Sequence, residues 1–289
     1  GNDTLNAGMG NDTLIGGSGD DVLSLIVDGV DSVDGGVGTD RLSVDLAGYS
    51  VNGTGRIWWE GTDASGAVVT AVDIYSSYAS ISNYVNTATT NLLQVYVSPP
   101  HAYASASPRA ATLNFIGIEN LSVSASTVVS DSDLIFARGT GVYDGKGGTD
   151  AIYADLSAST SDITFVAGSG VTYNYQGSSF SNFERFLITT GSGNDSFDST
   201  TVTMDDYLVL GEGTDTTTTG GGNDYVDAGD GNDTLNAGMG NDTLIGGSGA
   251  DTAIFSGLRA NYQITTIADG IRITGTDGTD DLYGIETLQ

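Results

Sequence analysis

The sequence predicts an all-β protein: a parallel β-roll, made of stacked coils of short strands, that antiparallel β hairpin insertions interrupt. Two observations carry this prediction. Gly- and Asp-rich segments repeat with a period of nine residues near both ends of the chain, and the nineteen residues Gly1–Gly19 return unchanged as Gly231–Gly249. Between them, β-branched and aromatic residues alternate around Gly-bearing turns, which is typical of hairpins.

The composition points to carboxylate chemistry in turns. The 289 residues include 37 acidic and 8 basic residues, 43 Gly, one His and no Cys, with a net charge of -29. Such a charge repels phosphate backbones and anionic lipids, so we expect no nucleic-acid partner and no membrane insertion. Without Cys, disulfides and thiolate metal sites are excluded. Because Gly1 falls inside a repeat, we expect a piece of a longer chain.

The period of nine explains the roll. An apolar residue follows two positions after each repeat Asp, as in Asp3 and Leu5, and a flexible linker has no reason to keep that spacing. Three residues around the apolar position form a short strand, while the glycines allow tight turns. Two nonapeptides complete one coil, so Asp residues eighteen apart, such as Asp224 and Asp242, stack on one edge.

Stacked carboxylates one strand spacing apart, about 4.8 Å, repel each other unless a hard cation lies between them. Ca²⁺ suits this place because it takes six to eight oxygen ligands, and Gly-rich turns can offer backbone carbonyls beside the Asp oxygens. Mg²⁺ demands stricter octahedral geometry, and transition metals prefer His or Cys. The sequence therefore predicts multiple Ca²⁺ sites along the repeats.

The motif GGxGxDxUx, seen as GGSGDDVLS from Gly16 and as GGGNDYVDA from Gly220, resembles the RTX (repeats-in-toxin) family of secreted bacterial proteins. The resemblance implies a calcium-loaded roll that folds after type I secretion, and therefore an extracellular or cell-surface location. It also implies that the Asp at the sixth position of each nonapeptide is the side-chain ligand. The candidate metal ligands are Asp3, Asp12, Asp21, Asp40, Asp150, Asp195, Asp215, Asp224, Asp233, Asp242 and Asp251.

Two departures from the repeat affect these expectations. After Asp21 the apolar residues Leu25 to Val27 replace turn glycines, and Asp31 follows ten residues on, which predicts a locally rewound coil and a doubtful site there. Ala250 replaces the Asn or Asp that precedes the other repeat aspartates, which suggests that the roll closes at this repeat.

The regions between the repeats predict insertions. Hairpins are expected around Trp58, Phe165 and Ile264, with one short helix between Ser76 and Val97 and an exposed loop from Ser98 to Pro108. The expected division is an N-terminal roll block at 1–45, a β-rich insertion at 46–135, a repeat-plus-hairpin unit at 136–190, the main roll block at 191–255 and a C-terminal hairpin cap at 256–289.

A recurring motif places a Glu in an apolar strand, at Glu119, Glu184 and Glu286. A structural interpretation, in which the carboxylate bonds to a neighbouring turn, is favoured over a catalytic one. The aromatic residues of the first insertion are expected to pack it, with a carbohydrate or partner platform as the alternative; they are Trp58, Trp59, Tyr75, Tyr78, Tyr84 and Tyr96.

The sequence lacks the residues that the common catalytic motifs require. Zinc motifs need two histidines and only His101 is present, there is no GxSxG segment, and the acids are accounted for by turns and cations. The chain is therefore predicted not to be an enzyme. Two function classes stay open: a surface-layer or adhesin segment that self-associates or binds a cell-surface polymer, and the non-catalytic calcium module of a type I secreted protease, lipase or epimerase.

Overall fold

The computed structural model describes residues 1–27, 30–46, 55–62, 65, 67–72, 76, 78–87, 90–97, 109–116, 120–124, 133–137, 140–167 and 172–289. The chain divides into two compact units. Unit 1 comprises Gly1–Ala151 and Asn174–Phe183, and unit 2 comprises Ile152–Tyr173 and Glu184–Gln289. No helix in these described ranges has the length and apolar character that crossing a membrane requires. The five-part division expected from the sequence stays a prediction.

Among the described residues, the elements are short strands and one α-helix, α1 at Tyr78–Thr87. The first strands are β1 Thr4–Asn6, β2 Thr13–Ser18, β3 Val22–Ile26, β4 Val30–Val37, β5 Arg41–Asp45, β6 Gly55–Thr62, β7 Val68–Val72, β8 Thr90–Val97, β9 Arg109–Ile116, β10 Asn120–Ser124, β11 Leu134–Phe136 and β12 Val142–Asp144. They continue with β13 Ala151–Asp155, β14 Thr164–Val166, β15 Thr172–Tyr175, β16 Ser178–Ser181, β17 Arg185–Thr189, β18 Ser196–Asp198, β19 Tyr207–Val209, β20 Glu212–Gly213, β21 Thr216–Thr218 and β22 Tyr225–Asp227. The last are β23 Asp230–Gly231, β24 Thr234–Asn236, β25 Thr243–Ile245, β26 Ser248–Gly249, β27 Thr252–Ala253, β28 Gln263–Ile267, β29 Gly270–Thr274, β30 Thr279–Tyr283 and β31 Thr287–Leu288.

Unit 1 contains stacked parallel coils. One sheet runs β1-β3-β5-β10-β12-β16 and another runs β2-β4-β9-β8-β6-β7. Thr4 pairs with Val22, eighteen residues on, while Val22 pairs with Arg41, nineteen residues on. The predicted coil of two nonapeptides is therefore present, and the rewinding expected after Asp21 takes the form of one extra residue.

The first insertion extends a sheet of unit 1 without breaking the stack of coils. Strand β6 pairs antiparallel with both β7 and β8, and β8 pairs antiparallel with β9. Helix α1 packs against β7, burying Ile81 and Tyr84 as well as Val69 and Val72. Strand β9 then returns parallel to β4, and β10 parallel to β5. The predicted hairpin around Trp58 and the predicted short helix are confirmed.

Unit 2 contains the most regular coils. Strands β17, β19, β22, β25 and β30 lie side by side, and a second sheet runs β14-β18-β21-β24-β27-β31. Inward side chains form continuous columns because successive coils share one register; the buried members are Leu208, Val226, Leu244 and Leu282 in one sheet and Phe197, Thr217, Leu235 and Ala253 in the other.

The end of unit 2 combines the roll with a hairpin. Strands β28 and β29 form the predicted antiparallel hairpin, and β29 pairs antiparallel with β30. Strand β30 in turn pairs parallel with β25, and β31 with β27. The stack of strands therefore continues past Ala250, where the sequence suggested closure.

The hairpin predicted around Phe165 is wrong in its pairing. Strand β14 pairs parallel with β18, and β15 lies next to β16. The physical reason is the core, since the Phe165 ring stacks on Phe197 at a centroid distance of 5.4 Å and is buried. The loop predicted from Ser98 to Pro108 and the side chain of Glu119 lie outside the described residues.

Candidate metal sites

The repeat aspartates of unit 2 form two hydrogen-bonded ladders, one on each edge of the roll. In the edge A ladder the backbone N–H of one Asp donates to Oδ1 of the Asp in the next coil, at 2.7 Å from Asp195 to Asp215, 2.8 Å from Asp215 to Asp233 and 2.9 Å from Asp233 to Asp251. The edge B ladder repeats this geometry through Asp206, Asp224, Asp242 and Asp280, at 2.7, 2.8 and 3.0 Å. Both ladders place the carboxylates of successive coils one above the other.

Unit 1 contains the same arrangement over fewer coils. The N–H of Asp3 donates to Oδ1 of Asp21 at 2.7 Å, and the N–H of Asp21 donates to Oδ1 of Asp40 at 2.8 Å. On the other edge Asp12 donates to Asp31 at 2.9 Å. Asp31 thus occupies a ladder position although the sequence made its site doubtful. In a further pair, the N–H of Asp133 donates to Oδ1 of Asp150 at 2.8 Å.

Many of the ladder aspartates leave their second carboxylate oxygen without a hydrogen-bond partner. Within the part of the chain that the structure describes, a buried Oδ2 atom without a hydrogen-bond partner occurs in Asp12, Asp21, Asp195, Asp215, Asp224, Asp233, Asp242 and Asp251. Buried polar atoms in proteins are almost always paired, because an unpaired one loses its hydration without compensation. A regular series of such oxygens therefore indicates a ligand that they face.

The unused oxygen faces the glycine turn of its own repeat. A Cβ built on Gly246 would lie 2.6 Å from Oδ2 of Asp251, and one built on Gly16 would lie 2.5 Å from Oδ2 of Asp21. Only a bare backbone can therefore line this place. The turns are also stacked closely, since a Cβ on Gly229 would lie 1.9 Å from the carbonyl oxygen of Gly211 in the preceding coil.

The residues before several of the repeat aspartates form a second ladder that runs in the opposite direction. The N–H of Asn241 donates to Oδ1 of Asn223 at 3.0 Å, and the N–H of Thr279 donates to Oδ1 of Asn241 at 3.1 Å. Ala250 donates its N–H to Asn232 at 2.9 Å but has no side-chain oxygen to continue the ladder. The Asn of the repeat therefore satisfies a turn amide and leaves the Asp oxygen available.

Burial makes the charged form of the ladder carboxylates unfavourable. Desolvation is the main cause that raises the pKa of Asp215, Asp224 and Asp242 to about 7, and neighbouring ladder carboxylates contribute in the same direction. Desolvation also raises the pKa of Asp233 and Asp195. A proton or a cation must therefore neutralise these groups if they are to stay buried.

Sequence reasoning missed some ladder members. Asp133, Asp206 and Asp280 occupy ladder positions without the full glycine pattern, and Oε2 of Glu286 accepts the N–H of Asp251 at 2.8 Å. An acid two residues before a buried strand residue would have found them, as in Asp206 and Leu208. The structural interpretation of Glu286 is thereby confirmed.

The donor set of these places fits a hard divalent cation. Carboxylate oxygens and turn carbonyls supply oxygen ligands of the kind that Ca²⁺ takes. Among the described residues no three acidic, His or Cys side chains converge to form a cluster that could hold a metal. Backbone carbonyls would have to complete each coordination shell, and the assignment of the eleven candidate ligands stays a prediction.

The fold and the ladders together define a β-roll of stacked nonapeptide repeats. A model of the RTX calcium-binding nonapeptide repeat matches four copies, in residues 1–24 and 218–253. These two segments therefore carry RTX calcium-binding nonapeptide repeats. No curated protein matches it. Among solved structures it is similar to the extracellular lipase LipA from Serratia marcescens, with 16% identity over 99% of this chain and a TM-score of 0.18, and it spans 38% of that chain.

Proposed function

We propose that this chain is a segment of an extracellular structural or adhesive protein, of the surface-layer or adhesin kind, whose rolls fold and become rigid when they bind Ca²⁺. The observation that carries the proposal is the series of buried, unpartnered Oδ2 atoms in consecutive coils. Their regular spacing supports many equivalent sites, which is what a rigid calcium-loaded rod requires.

Calcium would act on folding because the ladders exist only in the folded chain. Eighteen-residue coils bring Asp215, Asp233 and Asp251 together, whereas an unfolded chain keeps them apart in water. A ligand that binds only the folded state stabilises that state by its binding free energy. With a net charge of -29, the chain also gains from any reduction of its own repulsion.

The substitution Asp233→Asn tests the site most sharply. Asn keeps an oxygen that can accept the N–H of Asp215, but it replaces the anionic Oδ2 with an amide nitrogen, which cannot bind a cation. We expect weaker calcium binding in isothermal titration calorimetry and a higher calcium concentration for the folding transition in circular dichroism.

Asp230→Asn is the matched control. Asp230 lies in the same coil, its side chain is exposed, and the substitution removes the same charge. We expect it to leave calcium affinity nearly unchanged. Equal effects of the two substitutions would reject the ladder as the binding site, and an unchanged β spectrum of the parent chain in excess EDTA would reject calcium-dependent folding.

The structural role is supported by the insertions. Among the described strands, β7 lies at one end of its six-stranded sheet, next to β6, and edge strands offer backbone groups to a further chain. We infer that the insertion makes lateral contacts between copies. A chain in which residues Ile57 to Tyr103 are replaced by a short Gly-Ser loop should bind calcium and stay monomeric by light scattering, whereas the intact chain self-associates.

If the intact chain also stays monomeric at high concentration in calcium, self-assembly is wrong, and the role of a non-catalytic module of a type I secreted enzyme becomes the better proposal. The matched repeats are themselves a calcium-binding motif. We propose that no catalytic centre resides in this chain and that the protein reaches the outside of the cell by type I secretion.

A further inference from the structure

Asp206 differs from Asp224 and Asp242, the two members that follow it in the edge B ladder. Its Oδ1 accepts the N–H of Phe186 at 2.8 Å, and its Oδ2 accepts the hydroxyl of Ser199 at 2.6 Å. Asp224 and Asp242, the next two members, keep an Oδ2 without a hydrogen-bond partner. The first position of this ladder is thus satisfied by the protein alone, while the next two positions are not.

A buried guanidinium lies beside this position. Arg185 is 6% exposed, and its Nε donates to the carbonyl of Asp205 at 2.7 Å. Burial raises the pKa of Asp206, and the charge of Arg185 acts in the opposite direction. Buried charges in proteins need a partner of opposite charge or a hydrogen-bond acceptor. Here the guanidinium binds a turn carbonyl next to a carboxylate, and these are the two kinds of oxygen that would bind a calcium ion. Arg185 therefore supplies a permanent positive charge there.

The core beside this position is also different from the later coils. Phe165, Phe186 and Phe197 form a buried cluster, with ring centroids 5.4 to 6.4 Å apart. The corresponding inward positions in the later coils are the smaller Thr217, Leu235 and Ala253. Aromatic side chains bury more apolar area, so this coil draws more stability from its core than the coils that follow.

We propose that Arg185 and Ser199 take the place of calcium at Asp206, so that the start of unit 2 stays folded without the ion and serves as the template on which the calcium-dependent coils assemble. This inference rests on the proposed calcium-dependent folding of the later coils. It also predicts the direction of folding, because the calcium-dependent coils would then fold in order from Asp206 towards Asp280.

Amide hydrogen exchange of the whole chain, with calcium and in excess EDTA, tests the inference. In EDTA we expect the amides of β17 and β19 to stay protected, while those of β24 and β25 lose protection. Fast exchange of all four strands in EDTA would overturn the template and leave calcium-dependent folding intact. Protection of all four strands in EDTA would overturn the calcium-dependent folding itself.

Two substitutions test the named residues. Ser199→Ala removes the donor to Oδ2 of Asp206, and Arg185→Met removes the charge while keeping an unbranched side chain. Each should abolish the protection of β17 and β19 in EDTA but retain it in calcium, and Arg185→Lys should restore part of it. Arg272→Met is the control, because Arg272 forms a solvent-exposed ion pair in which its Nε lies 2.6 Å from Oδ1 of Asp281.

If Arg185→Met fails to fold even in calcium, Ser199→Ala decides the question, because it deletes a single hydroxyl. Protection in EDTA that is unchanged by Ser199→Ala and by a folded Arg185→Met would show that the aromatic core alone holds this coil. The roles assigned to Arg185 and Ser199 would then be wrong.

Discussion

The repeat residues Asp215 and Asp224 use their two carboxylate oxygens for different purposes. In Asp215 and Asp224, Oδ1 accepts the amide of the preceding coil, and Oδ2 is buried without a partner. The first contact fixes the orientation of the carboxylate, since a backbone amide is a rigid donor. The second oxygen therefore points in one fixed direction. Metal ligands in proteins are commonly oriented in this way, by a hydrogen bond to another atom of the same side chain.

Thr217 points into the core and only 1% of its surface is exposed to solvent. Its hydroxyl has no hydrogen-bond partner. It lies in a column between Phe197 and Leu235. An unpaired buried hydroxyl is unfavourable, so we expect Thr217→Val to raise the free energy of unfolding by about 1 kcal/mol. Urea denaturation in saturating calcium measures this change.

Thr219→Val is the comparison for that experiment. The side chain of Thr219 is fully buried, and its hydroxyl donates to the carbonyl of Ala237 at 3.0 Å. Here valine leaves a carbonyl without its donor, so we expect a loss of stability. If both substitutions stabilise the protein, the missing hydrogen bond of the Thr217 hydroxyl is not the reason for the effect of Thr217→Val.

At the scale of the element, the coil was predictable because its constraints are local. The nine-residue spacing of Gly, Asp and an apolar residue determines where the strands and turns fall, and the register of Thr216 with Thr234 agrees with it. The pairing of β14 was not predictable, because Phe165 joins a core whose other members are distant in sequence. Asp206 was missed because its turn lacks the glycines that mark the repeat.

The stacked turns predict the outcome of a glycine substitution. Gly229 has φ of 93°, and a Cβ there would lie 1.9 Å from the carbonyl oxygen of Gly211. We therefore expect Gly229→Ala to lower the free energy of unfolding by more than about 2 kcal/mol, from positive-φ strain together with the steric clash. Thermal unfolding in calcium measures the effect.

Gly221→Ala is the matched control for the turn. Its nearest neighbour would be the carbonyl oxygen of Val202 at 3.5 Å, which is an ordinary contact, and Gly221 is not among the positive-φ glycines. We expect a small change in stability. A comparable loss from both substitutions would indicate that glycine is needed for chain flexibility in general and not for the close approach of the coils.

At the scale of the whole molecule, the buried carboxylates predict how the metal-free protein responds to pH. Burial is the main cause that raises the pKa of Asp206, Asp215, Asp224, Asp242 and Asp280 to about 7 in the folded chain. The folded state therefore binds more protons than the unfolded state between the ordinary Asp pKa and about 7. Its stability from these groups is fully present below the ordinary pKa and is lost as pH rises through about 7.

We therefore expect the fraction of folded chain in EDTA to be higher at about pH 5 than at about pH 8. Saturating calcium should remove or reverse this trend, because the cation competes with protons for the same carboxylates and binds best when they are ionised. Circular dichroism at the two pH values, with and without calcium, measures both. A metal-free chain that becomes more stable as pH rises would contradict the buried position of the ladders.

The return of the chain to the stack after each insertion also has an entropic consequence. Leu42 pairs with Leu121, 79 residues on, whereas an uninterrupted coil such as Val226 to Leu244 closes after 18 residues. Loop-closure entropy grows only with the logarithm of length, so the longer excursion costs about 1.3 kcal/mol more than a single coil. The roll can therefore accommodate long and varied insertions with little loss of stability. The number of stacked coils then does not depend on the total length of the chain.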